Sequence, residues 1–315
     1  MAETAIVAQG LRKHYGDTIA VDGIDLEVAA HSIYALLGPN GAGKTTTINM
    51  LTTLVPPSAG SAQVAGFDIV KAADRVRERI GVTFQDIVLD RDLTGRQLLD
   101  IHGRLYRQSA VERRKRMADL VDLVQLNDVI DRRVNTYSGG MKRRLELARG
   151  LMTDPEVLFL DEPTQGLDPQ NRVGIWEYVR RLNKERGLTV LLTTHYMDEA
   201  EEVAHQVGII DHGKLIVSGT PASLVSNEGG DLLRITASGD LEAAAACFRQ
   251  LPVVQSAEVS PSNKQIEVLL EHANKHLATL LAASAHIDFQ VEEILLSRPT
   301  LADVFLRYTG RALRD

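Results

Sequence analysis

The sequence predicts an α/β domain followed by a smaller α+β domain, and three observations lead to this fold class. Short apolar runs at residues 157–160 and Thr189–Thr194 have the texture of buried parallel strands. A glycine-rich turn at residues 38–45 stands between a predicted strand and a predicted helix. A small, polar stretch at residues 226–230 then separates a second series of strands and helices. With 315 residues, the chain is long enough for two domains.

The first domain is expected to begin with a small antiparallel sheet. Residues 3–37 alternate short apolar runs with glycine-containing turns, which predicts antiparallel strands leading into a strand at Ile33–Leu37. The helix after the glycine-rich turn has Ile48, Leu51 and Val55 on one face, and a pair of prolines is expected to end it.

A helical insertion is expected in the middle of this domain. From residue 86 the chain has many charges and few β-branched runs, and we assign a helical subdomain to residues 86–153. Two short apolar runs around an Asp-His-Gly turn at residues 211–213 then predict a hairpin. This hairpin is expected to close the first domain, to which we assign residues 1–222.

The second domain is expected at residues 231–315, after a linker at residues 223–230. Its segments predict the order βαββαβ, which is typical of a ferredoxin-like sandwich. A last helix, residues 301–308, has an apolar face that either covers the sheet of this domain or docks on a partner subunit. The segment has no phosphate loop, metal motif or nucleophile motif, so we expect it to serve assembly or regulation.

Composition and charge limit the classes of function. The formal net charge is −7, which gives no global reason to expect binding to nucleic acid, and we expect no nucleic-acid partner. The one cysteine, Cys247, excludes an intrachain disulfide. The N-terminus lacks the features of a secretory signal, and no apolar run has the length of a membrane helix, so we expect a cytosolic chain. If the protein acts at a membrane, another chain must span that membrane.

The glycine-rich turn matches the phosphate-binding pattern G-x-x-x-x-G-K-[ST]. Its glycines let successive N–H groups point at phosphate oxygens, and the following helix adds the partial positive charge of its N-terminus. We expect Lys44 to reach the β- and γ-phosphates of a nucleotide, and Thr45 to donate its hydroxyl oxygen to Mg²⁺. The predicted nucleotide-binding residues in this region are Gly38, Pro39, Asn40, Gly41, Ala42, Gly43, Lys44, Thr45 and Thr46.

Two carboxylates follow the apolar run at residues 157–160, at the end of a strand where α/β sheets bind ligands. Asp161 is suited to hold Mg²⁺, and Glu162 is suited to accept the proton of an attacking water as a general base. The alternative is that both residues cap the next segment. His195 follows the strand Thr189–Thr194, so we expect its imidazole at the same edge, within reach of a γ-phosphate oxygen.

Ser138, Gly139 and Gly140 precede a predicted helix, and Ser138 is expected to be its N-cap. Three cations, residues 142–144, stand in the first turn of this helix, where the helix dipole disfavours positive charge. A polyanion bound at this end would reverse that effect. The alternative is a capped helix with solvated basic side chains.

Six motifs occur in the order and spacing of ABC-transporter nucleotide-binding domains, and residues 4–222 resemble that family. They are the phosphate loop at residues 38–45, Gln85 after an apolar run, Tyr-Ser-Gly-Gly-Met at 137–141, Leu-Asp-Glu-Pro at 160–163, Gly-Leu-Asp-Pro at 166–169, and His195. The C-terminal segment 298–310 is similar to that of the daunorubicin-resistance type of ATPase, which serves drug, antibiotic and lipid exporters.

This resemblance implies a P-loop NTPase fold and an ATPase that binds ATP and Mg²⁺ and drives a separate permease from the cytoplasmic face of the membrane. Ser138 and Gly140 would contact the γ-phosphate held by the other subunit of a homodimer. Gln85 would sense Mg²⁺ and water, and Asp168 would couple the two sites. Tyr137 and Met141 replace the usual leucine and glutamine of the family, so a glutamine-specific contact is not expected.

Alternatives remain for one residue and for the whole function. Tyr15 either stacks on adenine or is a half-buried core residue. The chain could also be a soluble ABC-type switch that is not coupled to transport. A pseudo-ATPase that serves as an interaction module is disfavoured, because Lys44, Asp161, Glu162 and His195 are all present.

Overall fold

A computed structural model describes residues 3–226, 230–260, 264–297 and 300–309 of the chain. The described chain divides into two compact units, with the boundary between Thr220 and Pro221. Each unit has a hydrophobic core of its own. Within the described ranges, no helix combines the length and the apolar character needed to cross a bilayer.

The first unit is an α/β structure with two sheets. Its strands are β1 (Thr4–Tyr15), β2 (Thr18–Ala29), β3 (Ile33–Leu37), β4 (Ala59–Val64), β5 (Phe67–Asp68), β6 (Ile80–Thr83), β7 (Val157–Asp161), β8 (Thr189–Thr194), β9 (Gln206–Asp211) and β10 (Lys214–Gly219). Its helices are α1 (Lys44–Leu51), α2 (Ala73–Arg79), α3 (Gly95–Leu105), α4 (Ala110–Leu123), α5 (Gly139–Gly150), α6 (Pro169–Arg186) and α7 (Met197–Val203). One sheet has the strand order β2-β1-β4-β5, and the other has the order β10-β9-β3-β8-β7-β6.

The larger sheet brings three chain segments to one edge. Strands β3, β7 and β8 are parallel neighbours, and every residue in them is buried. Their carboxyl ends therefore lie together, and this is the edge at which α/β sheets bind ligands. The predicted mixed-sheet core and antiparallel subdomain are confirmed.

Helix α1 ends earlier than the sequence suggests. Its last residue is Leu51, because the Thr52 hydroxyl turns back to donate to the Ile48 carbonyl at 2.8 Å and Thr53 adopts a φ of 65°. A residue in this left-handed region cannot continue a helix. Val55, predicted to lie on the helix, lies outside it but still packs against the core.

The segment between β6 and β7 is built from α3, α4, α5 and a 3₁₀ turn at Val134–Thr136. Local sequence starts two of these helices. Thr94 accepts a hydrogen bond from the Gln97 amide, and Ser109 accepts one from the Glu112 amide, each at 3.2 Å. In return, the side chains of Gln97 and Glu112 accept hydrogen bonds from the backbone amides of Thr94 and Ser109, which completes a capping box in each case. These boxes explain why the two polar residues begin helices.

The second unit is a ferredoxin-like sandwich, as predicted from the βαββαβ order. Its elements are α8 (Pro221–Ser226), β11 (Asp231–Gly239), α9 (Leu241–Arg249), β12 (Val254–Ser260), β13 (Gln265–Leu270), α10 (Ala273–Ala283), β14 (Phe289–Ser297) and α11 (Leu301–Thr309). The sheet has the order β12-β13-β11-β14, and the described pairings are antiparallel. Its core is formed by residues such as Ile235, Phe248 and Val268.

The predicted linker at residues 223–230 is partly helical. Helix α8 begins at Pro221, because proline is suited to a first helical turn, and it extends to Ser226. Its residue Leu224 is buried. Residues 227–229 lie outside the described ranges.

The apolar face of the last helix is buried. Leu301, Val304 and Phe305 are fully buried, and α11 packs against α8. Helix α8 is therefore part of the cover of this face, and Tyr308 of the predicted face is exposed. Of the C-terminal segment 298–310, the structure describes residues 300–309.

Candidate active site

The loop between β3 and α1 requires glycine for close packing. An added Cβ at Gly38 would lie 2.3 Å from the Ile210 carbonyl oxygen, and one at Gly43 would lie 2.5 Å from the Ala20 carbonyl oxygen. Gly43 also has a φ of 106°, which L-residues rarely adopt. The glycines thus seat the loop against neighbouring backbone as well as allowing it to curl.

Lys44 holds this loop together and contacts the carboxylate that follows β7. Its Nζ donates to the carbonyls of Gly38 at 2.8 Å and Pro39 at 3.1 Å. The same nitrogen lies 3.1 Å from Glu162 Oε1, and both side chains are about 95% buried. A buried ion pair of this kind leaves an uncompensated charge if either partner is removed.

Asp161 lies beside hydroxyl groups at the carboxyl end of β7. Its Oδ1 accepts a hydrogen bond of 2.5 Å from the Thr193 hydroxyl, and the Thr45 hydroxyl is near enough to lower the pKa of this carboxyl group. Burial raises the pKa of Asp161, although these hydroxyl groups and the charge of Lys44 act in the opposite direction. Carboxylate and hydroxyl oxygens suit a hard divalent cation, which would offset the cost of this buried charge.

Glu162 has a strained backbone and one carboxylate oxygen that makes no hydrogen bond. Its φ is 44°, in the left-handed region, and its amide donates to the Thr193 hydroxyl at 3.0 Å. Its Oε2 lies 3.1 Å from His195 Nδ1, but the two groups are not aligned for a hydrogen bond. No other group in the described ranges bonds to that oxygen. A strained backbone conformation of this kind persists only where neighbouring groups stabilise it.

The structure therefore brings Lys44, Asp161, Glu162 and His195 to one place, together with Thr45. Thr193, which bonds to both carboxylate residues, was not predicted as a site residue from the sequence. The signal for it is a hydroxyl residue near the end of an apolar strand, in register with Asp161 on the neighbouring strand. The loop residue Asn40 is exposed, and the helix residue Thr46 is half-buried.

The expectation that the cations of α5 face a polyanion is wrong for Arg143. Its guanidinium is buried and donates to backbone carbonyls around the two carboxylates and to Glu146. Arg144 donates to the carbonyls of Val124 and Gln125 at 3.3 and 3.4 Å. Arg143 therefore supports the backbone of the site from within, and this role was not predicted from the sequence.

Ser138 contacts the first turn of α5, and Gly140 lies beside Asn171 in the first turn of α6. The Ser138 hydroxyl accepts a hydrogen bond from the Met141 amide at 3.3 Å, as an N-cap does. Ser138 and Gly139 are exposed, whereas Gly140 is buried. An added Cβ at Gly140 would lie 2.3 Å from Asn171 Oδ1, so a larger residue there would displace the Asn171 side chain.

Asp168 caps α6 and is linked to Gly140 through Asn171. Its two carboxylate oxygens accept from the Asn171 amide at 3.0 Å and from Asn171 Nδ2 at 2.6 Å. These hydrogen bonds hold the pKa of Asp168 below its ordinary value. Asn171 was not identified from the sequence, although an asparagine three residues after an N-cap is a visible pattern.

For two predicted site residues, the contacts found in the described ranges are with groups other than the two carboxylates. Gln85 is exposed, and its Nε2 donates to Gln165 Oε1 at 2.8 Å. Tyr15 is 49% exposed at the end of β1, with Lys13 Nζ 5.2 Å from the centre of its ring. Tyr15 does not belong to the buried core, which leaves stacking on a base as a prediction.

Comparison with known sequences gives long matches. An ABC transporter family model matches residues 21–165. Daunorubicin resistance ATP-binding protein DrrA3 of Streptomyces coeruleorubidus is 43% identical over 312 residues, which cover 98% of this chain and 97% of that protein. Linearmycin resistance ATP-binding protein LnrL of Bacillus subtilis is 38% identical over 309 residues, which cover 98% and 99%.

Comparison with solved structures gives ATP-binding cassettes. CbiO1 of Clostridium perfringens, part of the ABC transporter complex cbiONQ, has a TM-score of 0.67 at 26% identity, over 79% of this chain and 96% of that chain. A dimeric ATP-binding cassette in a post-hydrolysis state, bound to ADP and phosphate, has a TM-score of 0.62 at 25% identity, over 68% of this chain and 98% of that chain.

Proposed function

The chain belongs to the ABC transporter family as an ATP-hydrolysing subunit that drives transport, and we propose that it acts as a homodimer enclosing two ATP–Mg²⁺. The arrangement around Glu162 supports this proposal. Its carboxylate lies between Lys44 and His195, with one oxygen that no described residue bonds. This oxygen is buried, and it can accept a proton from a water that enters the site together with ATP.

We assign the steps at the phosphates to five side chains. ATP would draw Lys44 away from the loop carbonyls that hold it here. Thr45 and Asp161 would hold Mg²⁺, which neutralises phosphate charge when bound. Once Lys44 binds phosphate, Glu162 loses its ion-pair partner and can accept the proton of the attacking water. His195 would donate a hydrogen bond to a γ-phosphate oxygen and thereby orient it.

The second half of each site would come from the other subunit. Ser138 and Gly139 are exposed at the N-terminus of α5, so a phosphate held by a second subunit can reach them. The helix dipole and the free N–H groups of that terminus favour an anion.

A shared site makes hydrolysis depend on protein concentration. We expect ATPase activity per subunit to rise with concentration at high dilution and to level off when dimers saturate, because a monomer lacks the residues that its partner supplies. Steady-state ATPase assays over a dilution series, with light scattering in ATP, measure this. Constant specific activity from a protein that remains monomeric in ATP would contradict the shared site.

We propose that the permease docks on a groove of about 190 Å³. The groove lies among the ends of α1, β6, α3 and α5, and its lining includes Leu54, Phe84, His102, Tyr106 and Arg149. Leu54 and Tyr106 are exposed there, and so is Leu105 on α3. Exposed apolar side chains beside a groove are typical of an interaction surface.

For the cargo, we propose a drug, antibiotic or lipid that is exported, with the ATPase on the cytoplasmic face of the membrane. Two sequence relatives with matching length carry the names of daunorubicin resistance and linearmycin resistance proteins, which supports an antibiotic or drug as the class of cargo. Efflux measured in cells that express the chain with its permease tests this directly.

We propose that the second unit serves assembly. Deletion of residues 231–315 is expected to leave ATP binding by the first unit intact and to weaken association with the dimer partner or the permease. The reason is that the first unit contains every residue assigned to ATP, and has a core of its own. Nucleotide titration and co-purification with the permease measure the two effects. A folded truncation that lost ATP affinity, or one that assembled like the full chain, would contradict this role.

A further inference from the structure

Arg143 holds the backbone around the two catalytic carboxylates. Its side chain is 5% exposed. The Nε donates to the Pro163 carbonyl at 2.7 Å, and the Nη2 donates to the carbonyls of Asp161 and Glu162, each at 3.1 Å. Glu162 is the residue with a φ of 44°. By donating hydrogen bonds to three carbonyls, the rigid guanidinium stabilises this strained backbone conformation.

The remaining nitrogen of Arg143 faces the segment that follows β6. Its Nη1 donates to the Phe84 carbonyl at 2.6 Å and to Glu146 Oε2 at 2.8 Å. Glu146 is fully buried, and its Oε1 accepts from the Val88 amide at 3.3 Å. Arg149 donates to the Val88 carbonyl at 2.7 Å and lies 3.6 Å from Glu146.

The same segment borders the groove assigned above to the permease. Phe84 and Arg149 both line that groove, and Gln85 follows Phe84 directly. A partner seated there would displace the backbone of Phe84, which accepts a hydrogen bond from Arg143. It would also displace the side chain of Arg149, which contacts Glu146. The pair thus joins the groove wall on one side to the backbone of Glu162 on the other.

We infer that Arg143 is a positioning residue that transmits the position of residues 84–88 to Glu162 and so aligns the catalytic base. The inference rests on the proposed roles of Glu162 and of the groove. The two charges need each other, because a buried ion whose partner is removed remains uncompensated. A lysine has no fork of donors that reaches carbonyls on several sides, so the role is specific to arginine.

The test compares Arg143→Gln and Arg143→Lys with Arg144→Gln, the same change one residue along the helix. We expect Arg143→Gln to lower kcat by about 10- to 100-fold, as a misplaced catalytic group does. The KM for ATP should change by less than about 2-fold, because no residue assigned to ATP binding is altered. Arg143→Lys should also lose activity, while Arg144→Gln should stay near wild type.

A second measurement separates positioning from general damage. In the Glu162→Gln background, Arg143→Gln should have no further effect on residual hydrolysis, because the group that it positions is already absent. Thermal unfolding identifies variants that fail to fold, and Glu146→Gln, which keeps the shape of the side chain, is then used in place of Arg143→Gln. Glu146→Gln should also lower kcat.

Several outcomes would overturn the inference. They are an equal loss in both backgrounds, a KM that rises as far as kcat falls, and an equal loss in Arg144→Gln. If Glu162→Gln alone kept normal turnover, the proposed function would fail instead. The two failures are therefore distinguishable.

Discussion

Glu162→Gln is expected to lower ATP hydrolysis by about 10² to 10⁴, the range for loss of a positioned general base, and to leave ATP binding intact. An amide has nearly the shape of the carboxylate but cannot accept the proton of the attacking water. It can still accept a hydrogen bond from Lys44, which lies 3.1 Å from Glu162 Oε1, so the buried lysine keeps a partner. Single-turnover hydrolysis and nucleotide titration measure the two properties separately.

The same variant should accumulate as an ATP-bound dimer, because formation of the shared site no longer leads to hydrolysis. Size-exclusion chromatography in ATP and in ADP measures this, and only ATP should give the dimer. Glu156→Gln is the matched control. It is the same change just before the start of β7, in an exposed ion pair with Arg79. Turnover near wild type in Glu162→Gln would remove Glu162 from the role of base.

The site edge could be predicted because β3, β7 and β8 are visible in the sequence as apolar runs. The ends of parallel neighbours share an edge, so Lys44, Asp161 and His195 are brought together by strand order alone. The contact between Lys44 and Glu162 does not follow from strand order. It depends on the left-handed backbone at Glu162, which redirects the side chain and which no local sequence rule requires.

Arg143 could not be separated from its neighbours in sequence because three consecutive cations look alike. The rotation of α5 decides which of them is buried, and that rotation is a property of packing. Gly140, Arg143 and Glu146 are spaced by three residues and share the buried face. The acid three residues after Arg143 is visible in the sequence, but such pairs are also common on solvated helix faces, so the spacing alone does not predict burial.

The C-terminal end of α1 and the element that packs on α11 were predicted less well, because both depend on tertiary packing. The turn at Thr53 and the packing of α11 on α8 depend on contacts that form only in the folded chain. A helix face predicts that something covers it, and the sequence pattern does not say which element does so.

Mixing two inactive variants is expected to restore hydrolysis if each site is shared. The first is Glu162→Gln. The second is Gly139→Asp, which places a carboxylate at the exposed N-terminus of α5, where it would repel the γ-phosphate of the other subunit. An added Cβ at Gly139 would lie 3.8 Å from the Leu167 side chain, an ordinary contact, and an acid at a helix N-terminus is favoured by the dipole. The protein should therefore fold, and Gly139→Asn, of nearly the same shape and neutral, should lose less activity.

A mixed dimer contains one complete site, formed by the carboxylates of the Gly139→Asp subunit and the intact α5 terminus of the Glu162→Gln subunit. Its other site has both defects. With random exchange and independent sites, an equal mixture should reach about a quarter of the wild-type specific activity, although each variant alone is nearly inactive. Differently tagged subunits and a pull-down establish that mixed dimers have formed. Activity no greater than the mean of the two separate variants, in a sample rich in mixed dimers, would mean that each chain completes its own site.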